Sequence, residues 1–404
     1  MPFYSKCLHT YLLSQIFLYL GYLCQGNLII PDNMISNLPD RAPHLRLTRE
    51  ITVGKDNIYS LRDIESAANE KLDAGLRDYL NRGAQNEITL GANREVFNRY
   101  RIIPRYMVDV SKRNLTVQLF GETLPAPIGV SPFGRRHLFY KDGDYEVAIG
   151  AAKFGTVVGV SSGSSVTIEE LAEREPNAMK WFQIFIFSDR NMTKDMAQRA
   201  ERAGYKALVL TVDHNSGGIR YHDTKSVKVN NSDRANYRPY TGANKGIAND
   251  VTWDDVKWLK RQVQIPVVIK GVLTAGDARL AVNSGADAIF VSNHGGRQID
   301  GVPATLEALP EIVSEVGREV DVYLDGGVRN GNDIFKALAL GAKVVFVGRP
   351  AAWGLVYNGS EGVNTVLDIL YKELDNVMAI AGTPTIRSIS RSRVRSADDY
   401  RKGV

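Results

Sequence analysis

The stretch Ser292-Asn293-His294-Gly295-Gly296-Arg297-Gln298 sets an imidazole and a guanidinium three residues apart, directly after the apolar run Ala288-Ile289-Phe290-Val291. A base that can take a proton and a cation that can hold a carboxylate are thereby delivered together at the end of a buried strand, which suits chemistry on a small acid. The two glycines let the backbone approach a ligand closely, and Asn293, Arg297 and Gln298 add polar groups that a simple turn does not need. A lone His-x-x-Arg is most often a hydrogen-bonded structural pair. The other strand ends decide against that reading.

From about Pro127 onward, short apolar runs alternate with helix-like segments, at 127–130, 157–160, 181–185, 207–210, 266–269, 288–291, 322–324 and 344–347. Runs of this length separated by helical patterns predict parallel βαβ units, and eight of them predict a closed (β/α)₈ TIM barrel of α/β class, with an open doubly wound sheet as the alternative. Thr167 with Glu170 has the spacing of a capping box, and the apolar pattern of 333–340 reads as a core-facing helix stopped by Gly341. Residues 58–126 read as a mainly helical cap. Some 50 residues separate Asp213 from Pro266, far more than a usual connection, and read as an active-site lid or a plain surface insertion.

Barrel enzymes assemble their sites at the C-terminal strand ends. Those positions carry Ser161, Gln183, Thr211 with Asp213, Lys270, His294 with Arg297, Asp325-Gly326-Gly327-Val328-Arg329 and Gly348-Arg349. A barrel held together only for stability has no reason to concentrate Lys, His, Asp and Arg at one rim. After the last two strands, glycines expose backbone N–H groups and Arg329 and Arg349 offer bidentate donors, the make-up of a phosphate cradle.

The 404 residues are 44% apolar and 24% charged, an ordinary globular balance, and the net charge of +5 is spread without basic runs, unlike a nucleic-acid footprint. Residues 7–31 lack Asp, Glu, Lys and Arg, so residues 1–26 read as a signal peptide cleaved after Gly26. The alternatives are an uncleaved anchor, which alone would bring the chain to a membrane, and a misassigned translation start. Residues 27–57 read as a linker and 392–404 as a tail, around a domain at 58–391. Cys7 and Cys24 both fall in the leader, so the mature chain is expected to have no disulfide, zinc or other metal site, or thiol chemistry. The terminal Arg401-Lys402-Gly403-Val404 is not a peroxisomal Ser-Lys-Leu address.

With these residues in hand, the chain resembles the FMN-dependent α-hydroxy-acid oxidase and dehydrogenase family, most closely the (S)-2-hydroxy-acid oxidases that include glycolate oxidase. The matching motifs are residues 292–298, Lys270-Gly271-Val272, residues 325–329, residues 335–342, Gly348-Arg349-Pro350, and Thr211-Val212-Asp213 followed by Gly218-Ile219-Arg220. The resemblance implies FMN as cofactor, a small 2-hydroxy acid and O₂ as partners, and a homotetramer. It makes His294 the base, oriented by Asp213, and gives the substrate carboxylate to Arg297, Arg220 and Tyr79. Ser161, Gln183 and Thr211 would hydrogen-bond the isoalloxazine, Pro132 would lie along it, and Lys270 would stabilise its anionic reduced form. Ser292 joins the same cofactor set, and Asp325, Gly326, Gly327, Arg329, Gly348 and Arg349 would hold the ribityl phosphate.

Three departures matter. Phe185 stands where the family pattern has a tyrosine, so a phenol that would hydrogen-bond the substrate is missing, with Tyr140 and Tyr221 as candidate substitutes. Gly163 replaces a bulky tryptophan and leaves room for a longer or aromatic acid, and His214-Asn215 replaces Thr-Pro. Oxidation of a 2-hydroxy acid with release of H₂O₂ is the leading expectation. A dehydrogenase using a quinone or another acceptor, or a flavin-binding protein with little turnover, are the alternatives.

Overall fold

A strand that is apolar at every position must be covered on both faces, by helices outside and by packed side chains inside. The eight runs meet that demand. In the computed structural model, which describes residues 58–221 and 233–400, they form β1 (Ile128–Val130), β2 (Val157–Ser161), β3 (Met179–Ile184), β4 (Ala207–Thr211), β5 (Val267–Val272), β6 (Ala288–Val291), β7 (Asp321–Leu324) and β8 (Val344–Val347). Each pairs in parallel with the next, and β8 pairs with β1, closing the barrel. The expected TIM barrel is thus the fold.

Register aligns the polar strand ends. Ser161 sits opposite Gln183, and Thr211 opposite Lys270. A bulge between Lys270 and Val272, at Gly271 with φ +109°, re-aims the end of β5; a Cβ on Gly271 would stand 2.7 Å from Asp213 Cβ. Inside the barrel Trp181, Phe290, Tyr323 and Phe346 pack together, with Phe290 and Phe346 centroids 4.7 Å apart.

The connecting helices start and stop where their caps dictate. The Thr167 hydroxyl accepts from Glu170 N and the Glu170 carboxylate from Thr167 N, opening the helix Ile168–Arg174. Helix Gly331–Ala339 is capped by Asn330 and is followed by Gly341 at φ +106°. The long connection after β4 contains its own barrel helix, Trp253–Lys260, with a Thr252 and Asp255 capping box; residues 222–232 of the expected lid lie outside the described residues.

The cap carries three helices, Leu61–Lys71, Ala74–Asn81 and Ile88–Glu95, and also three short strands that the sequence pattern did not announce. Tyr100–Ile102 pairs antiparallel with Val394–Ser396. Val117–Leu119 and Glu122–Leu124 form a hairpin whose turn residues, Phe120 (φ +47°) and Gly121 (φ +84°), are both left-handed. That turn sets Phe120 5.6 Å from Trp181, so the hairpin closes the N-terminal end of the barrel. The leader, its cysteines, the linker and residues 401–404 lie outside the described residues. No helix among the described residues is long and apolar enough to cross a membrane.

Candidate active site

At the opposite end of the barrel a cavity of about 340 Å³ opens, and the strand-end residues line it. Of the base, carboxylate-binding and cofactor residues that the resemblance implies, only Asp213 and Ser292 are not in its wall; each stands behind a residue that is. His294 Nδ1 lies 2.9 Å from Asp213 Oδ1, and Lys270 Nζ donates to Ser292 Oγ at 2.6 Å.

Backbone strain delivers the histidine. His294, Gly295 and Gly296 have φ of +57°, +66° and +73°, three consecutive left-handed residues, of which only the histidine has a Cβ to resist it. Holding a non-glycine residue there costs about 1 kcal/mol or more, and such strain persists where the surroundings over-determine it. Here Ser292 Oγ accepts from His294 N at 3.2 Å, and buried Asn293 exchanges 2.8 Å hydrogen bonds with Asn93 of the cap. Asn293 therefore staples the loop and does not face the cavity.

Burial by itself raises the Asp213 carboxyl. The charge and hydrogen bond of His294, with Lys270 and His214 beyond, outweigh it and hold the group below the usual carboxylate range. Asp213 is thus an anion that fixes the imidazole with Nδ1 inward, leaving Nε2 for a ligand.

Three guanidinium groups surround one tyrosine. Arg297, Arg220 and Arg135 lie 5.1, 5.4 and 5.5 Å from the Tyr79 ring centroid, and Arg135 also donates to the Tyr79 hydroxyl at 3.2 Å. Gly218 makes this possible: its N donates to Gln298 Oε1 at 2.6 Å, and a Cβ there would stand 2.2 Å from the Arg297 carbonyl oxygen. Arg220 is thereby held against the loop that carries Arg297.

Along the other wall runs a neutral chain. Ser161 Oγ donates to Gln183 Oε1 at 3.2 Å, and Gln183 Nε2 donates to Thr211 Oγ1 at 3.1 Å. Pro132 comes close because Gly159 has no Cβ, which would stand 2.5 Å from Pro132 N. Lys270 Nζ is 3.2 Å from Asp325 Oδ2, which also accepts from Ser131, while buried Asp325 Oδ1 has no protein partner. A donor and acceptor edge, a fixed cation and an open carboxylate oxygen match the edge of a flavin ring and its ribityl hydroxyls.

The phosphate end supports the same group. Arg329 is pushed down to about 10, chiefly by burial, and its Nε has no partner. Burial also takes Arg349 well below its ordinary value, with the like charges of Arg297 and Arg329 adding to it. Arg349 spends three N–H groups on the carbonyls of Leu80, Gly295 and Arg82, at 3.0, 2.9 and 3.1 Å. Neither arginine ion-pairs with a carboxylate among the described residues. Two neighbouring, largely buried cations, one of them opening the helix Arg349–Ile380 beside open Gly348, call for a dianion such as a phosphate monoester. The glycines at 326 and 327 serve another purpose as well, since a Cβ on Gly327 would stand 1.7 Å from the Asn93 carbonyl oxygen. They admit the cap to the rim.

Phe185 lines the cavity with its ring 5.2 Å from that of His214, which in turn is 5.7 Å from that of His294. Neither Tyr140 nor Tyr221 is in the wall; both are exposed, so neither replaces the missing phenol. Sequence reasoning also missed Arg135, Arg234 and Tyr237 as wall residues. Arg135 had a signal, the basic pair Arg135-Arg136, but Arg136 is fully buried beside Asp144 and only its neighbour reaches the cavity.

Residues 68–396 match the profile of the family described as FMN-dependent dehydrogenase. The 2-hydroxyacid oxidase 1 of Homo sapiens is 39% identical over 356 residues, 83% of this chain and 96% of the human protein. A tyrosine-to-phenylalanine variant of mandelate oxidase with (S)-mandelic acid superposes with a TM-score of 0.78 at 36% identity, covering 84% of this chain and 98% of that one. A soluble mutant of the membrane-associated (S)-mandelate dehydrogenase from Pseudomonas putida gives 0.77 at 32% identity, covering 84% and 100%.

Proposed function

The chain belongs to the FMN-dependent dehydrogenase family, and from that premise we propose that it oxidises an (S)-2-hydroxy acid to the 2-oxo acid and passes the electrons to O₂, releasing H₂O₂. One observation carries the reading: a histidine with Nδ1 held at 2.9 Å by a largely buried aspartate, in the same cavity as two arginines over one tyrosine.

Arg220, Arg297 and the Tyr79 hydroxyl bind the substrate carboxylate, which fixes the α-carbon relative to the imidazole. The neutral His294 takes the hydroxyl proton on Nε2, and Asp213 stabilises the imidazolium that forms. FMN supplies the two-electron acceptor for the bond that breaks at the α-carbon. Lys270, pinned by Ser292 and Asp325, would offer a preorganised positive charge to the ring edge. Ser161, Gln183 and Thr211 would orient the ring, and Arg329 and Arg349 would hold the phosphate. The substrate gives up two protons and two electrons, and these convert O₂ to H₂O₂.

The test is anaerobic mixing of the FMN-loaded protein with glycolate, lactate, 2-hydroxyoctanoate and mandelate, followed by peroxide measurement in air. Bleaching of the flavin band and one peroxide per oxo acid support the oxidase. Bleaching without peroxide favours the dehydrogenase reading. A second reading follows from Phe185: if the flavin stays oxidised with every acid, the chain binds FMN without turnover.

A further inference from the structure

We propose that the preferred substrate carries a second carboxylate at the far end of a short chain, and that Arg234 receives it; the proposal rests on the 2-hydroxy-acid reading above. It starts from the cations in the cavity wall. Among the described residues that line the cavity, Asp325 is the sole carboxylate, and it faces Lys270. FMN phosphate answers Arg329 and Arg349, the α-carboxylate answers Arg220 and Arg297, and Arg135 is engaged with the Tyr79 hydroxyl. Arg234 has no such role. Its guanidinium lies over the Tyr237 ring, 5.2 Å from the centroid, and makes no ion pair with a carboxylate of the described residues.

Its position gives the ligand. Ala235 N donates to Ser164 O at 3.0 Å, which sews the Arg234 segment to the turn beside Gly163. A Cβ on Gly163 would meet only Ser161 Oγ, at 3.6 Å, so the space beside it is open. Phe185, Tyr237 and Ile247 border the same cavity, and Ile247 is tied to Phe187 by an antiparallel bridge. Apolar side chains suit one or two methylenes, and the arginine on that border suits an anion after them. The aromatic contact restrains the guanidinium, which lowers the entropy lost when a carboxylate pairs with it. A purely apolar tail would instead desolvate Arg234 with only the Tyr237 side chain beside it and no counter-anion, an unfavourable arrangement. The chemistry therefore points to a 2-hydroxy dicarboxylic acid of four or five carbons, the α-carboxylate on Arg220 and Arg297 and the distal one on Arg234.

The FMN-loaded full chain is reduced anaerobically with (S)-2-hydroxyglutarate, (S)-malate, (S)-2-hydroxyhexanoate and the distal amide of 2-hydroxyglutarate. Binding of 2-oxoglutarate and 2-oxohexanoate is read in parallel from the shift of the flavin spectrum. A diacid is expected to lead the monoacid and the amide by about 10- to 100-fold in kcat/KM, through KM more than kcat, as one charge-assisted bidentate contact implies. Arg234→Met should compress that ratio to near one, and Arg234→Lys should restore part of it. A wild-type protein that prefers 2-hydroxyhexanoate, or a ratio that Arg234→Met leaves unchanged, overturns the proposal. If no acid reduces the flavin, the oxidation reading fails, and the binding titration still decides this one: tighter binding of 2-oxoglutarate that is lost in Arg234→Met upholds it, and equal binding of the two oxo acids overturns it.

Discussion

At the N-terminal end of the barrel Trp181, Phe290, Tyr323 and Phe346 pack beneath the Phe120 turn; two residues further along the same strands stand Gln183, Ser292, Asp325 and Gly348. The same holds from Val209 to Thr211 and from Val268 to Lys270. Because side chains alternate along a strand, residues two apart point the same way. The polar groups at the rim are therefore the top layer of the inward-facing set whose lower layers are apolar, with Phe346 as the floor of the cavity. One step of two residues separates a layer that stabilises the barrel from a rim that costs it stability, through a strained His294, partnerless Asp325 Oδ1 and two largely desolvated guanidinium groups without a carboxylate among the described residues.

That division predicts which quantity each substitution moves. His294→Gln removes the proposed base and keeps the lower layers. Flavin reduction should slow by about 10³- to 10⁴-fold while FMN binding and the melting temperature change little. A loss of stability that matched the loss of rate would dissolve the distinction. Trp181→Ala is the converse. Trp181 is 1% exposed and touches Phe120, Tyr323 and Phe346, so the cavity left behind should cost about 3–5 kcal/mol in denaturant unfolding. KM for the substrate should stay near the wild-type value in the molecules that remain folded.

Arg329→Met addresses the cost of the rim directly. A charge-assisted contact to phosphate is worth about 1.5–3 kcal/mol, so the FMN dissociation constant should rise by roughly 10- to 100-fold. In the protein stripped of FMN, inorganic phosphate should raise the melting temperature of the wild type and do so less in the variant, because the variant has lost one of the two cations that want a dianion. Equal phosphate stabilisation in both would mean that Arg329 is not at the phosphate end.

The contrast between the two ends also explains what the sequence could disclose. The strands were legible because parallel strands covered on both faces are written as unbroken apolar runs, and the rim because polar residues terminate those runs. The floor was not. Phe120-Gly121 is not one of the usual hairpin dipeptides, its strands are three residues each, and Tyr100–Ile102 finds its partner at Val394–Ser396, some 290 residues on. Among site residues, Lys270 lies near the end of its strand and His294 and Asp325 just after theirs, so all three could be read. Arg135, His214, Arg234 and Tyr237 reach the cavity from loops, where no periodicity tells an inward side chain from an outward one. The resemblance placed Arg220 and Tyr79, which strand ends alone would not have found.

The smallest predicted effect is in pH, and here the two ends should respond to opposite limbs. Burial, and then His294, push the His214 imidazole below its ordinary 6.5, so between those two pKa values the unfolded chain binds a proton that the folded one refuses. Stability is therefore lost as pH falls below about 6.5. Asp213, held below the usual carboxylate range, adds a second loss at lower pH, as acid reaches the window between its unfolded and folded values. Tyr323, in the aromatic layer, is raised above its ordinary value by burial and then by Asp321, so its contribution is full below about pH 10 and falls away above it. His214→Asn should flatten the limb that begins below about pH 6.5 and leave the alkaline one. Tyr323→Phe should flatten part of the alkaline limb, with Tyr205, also raised by burial, carrying another share. Chemical unfolding at fixed pH measures both limbs, and a His214→Asn curve parallel to the wild type below pH 6.5 would mean that this histidine is as free to protonate in the folded chain as in the unfolded one.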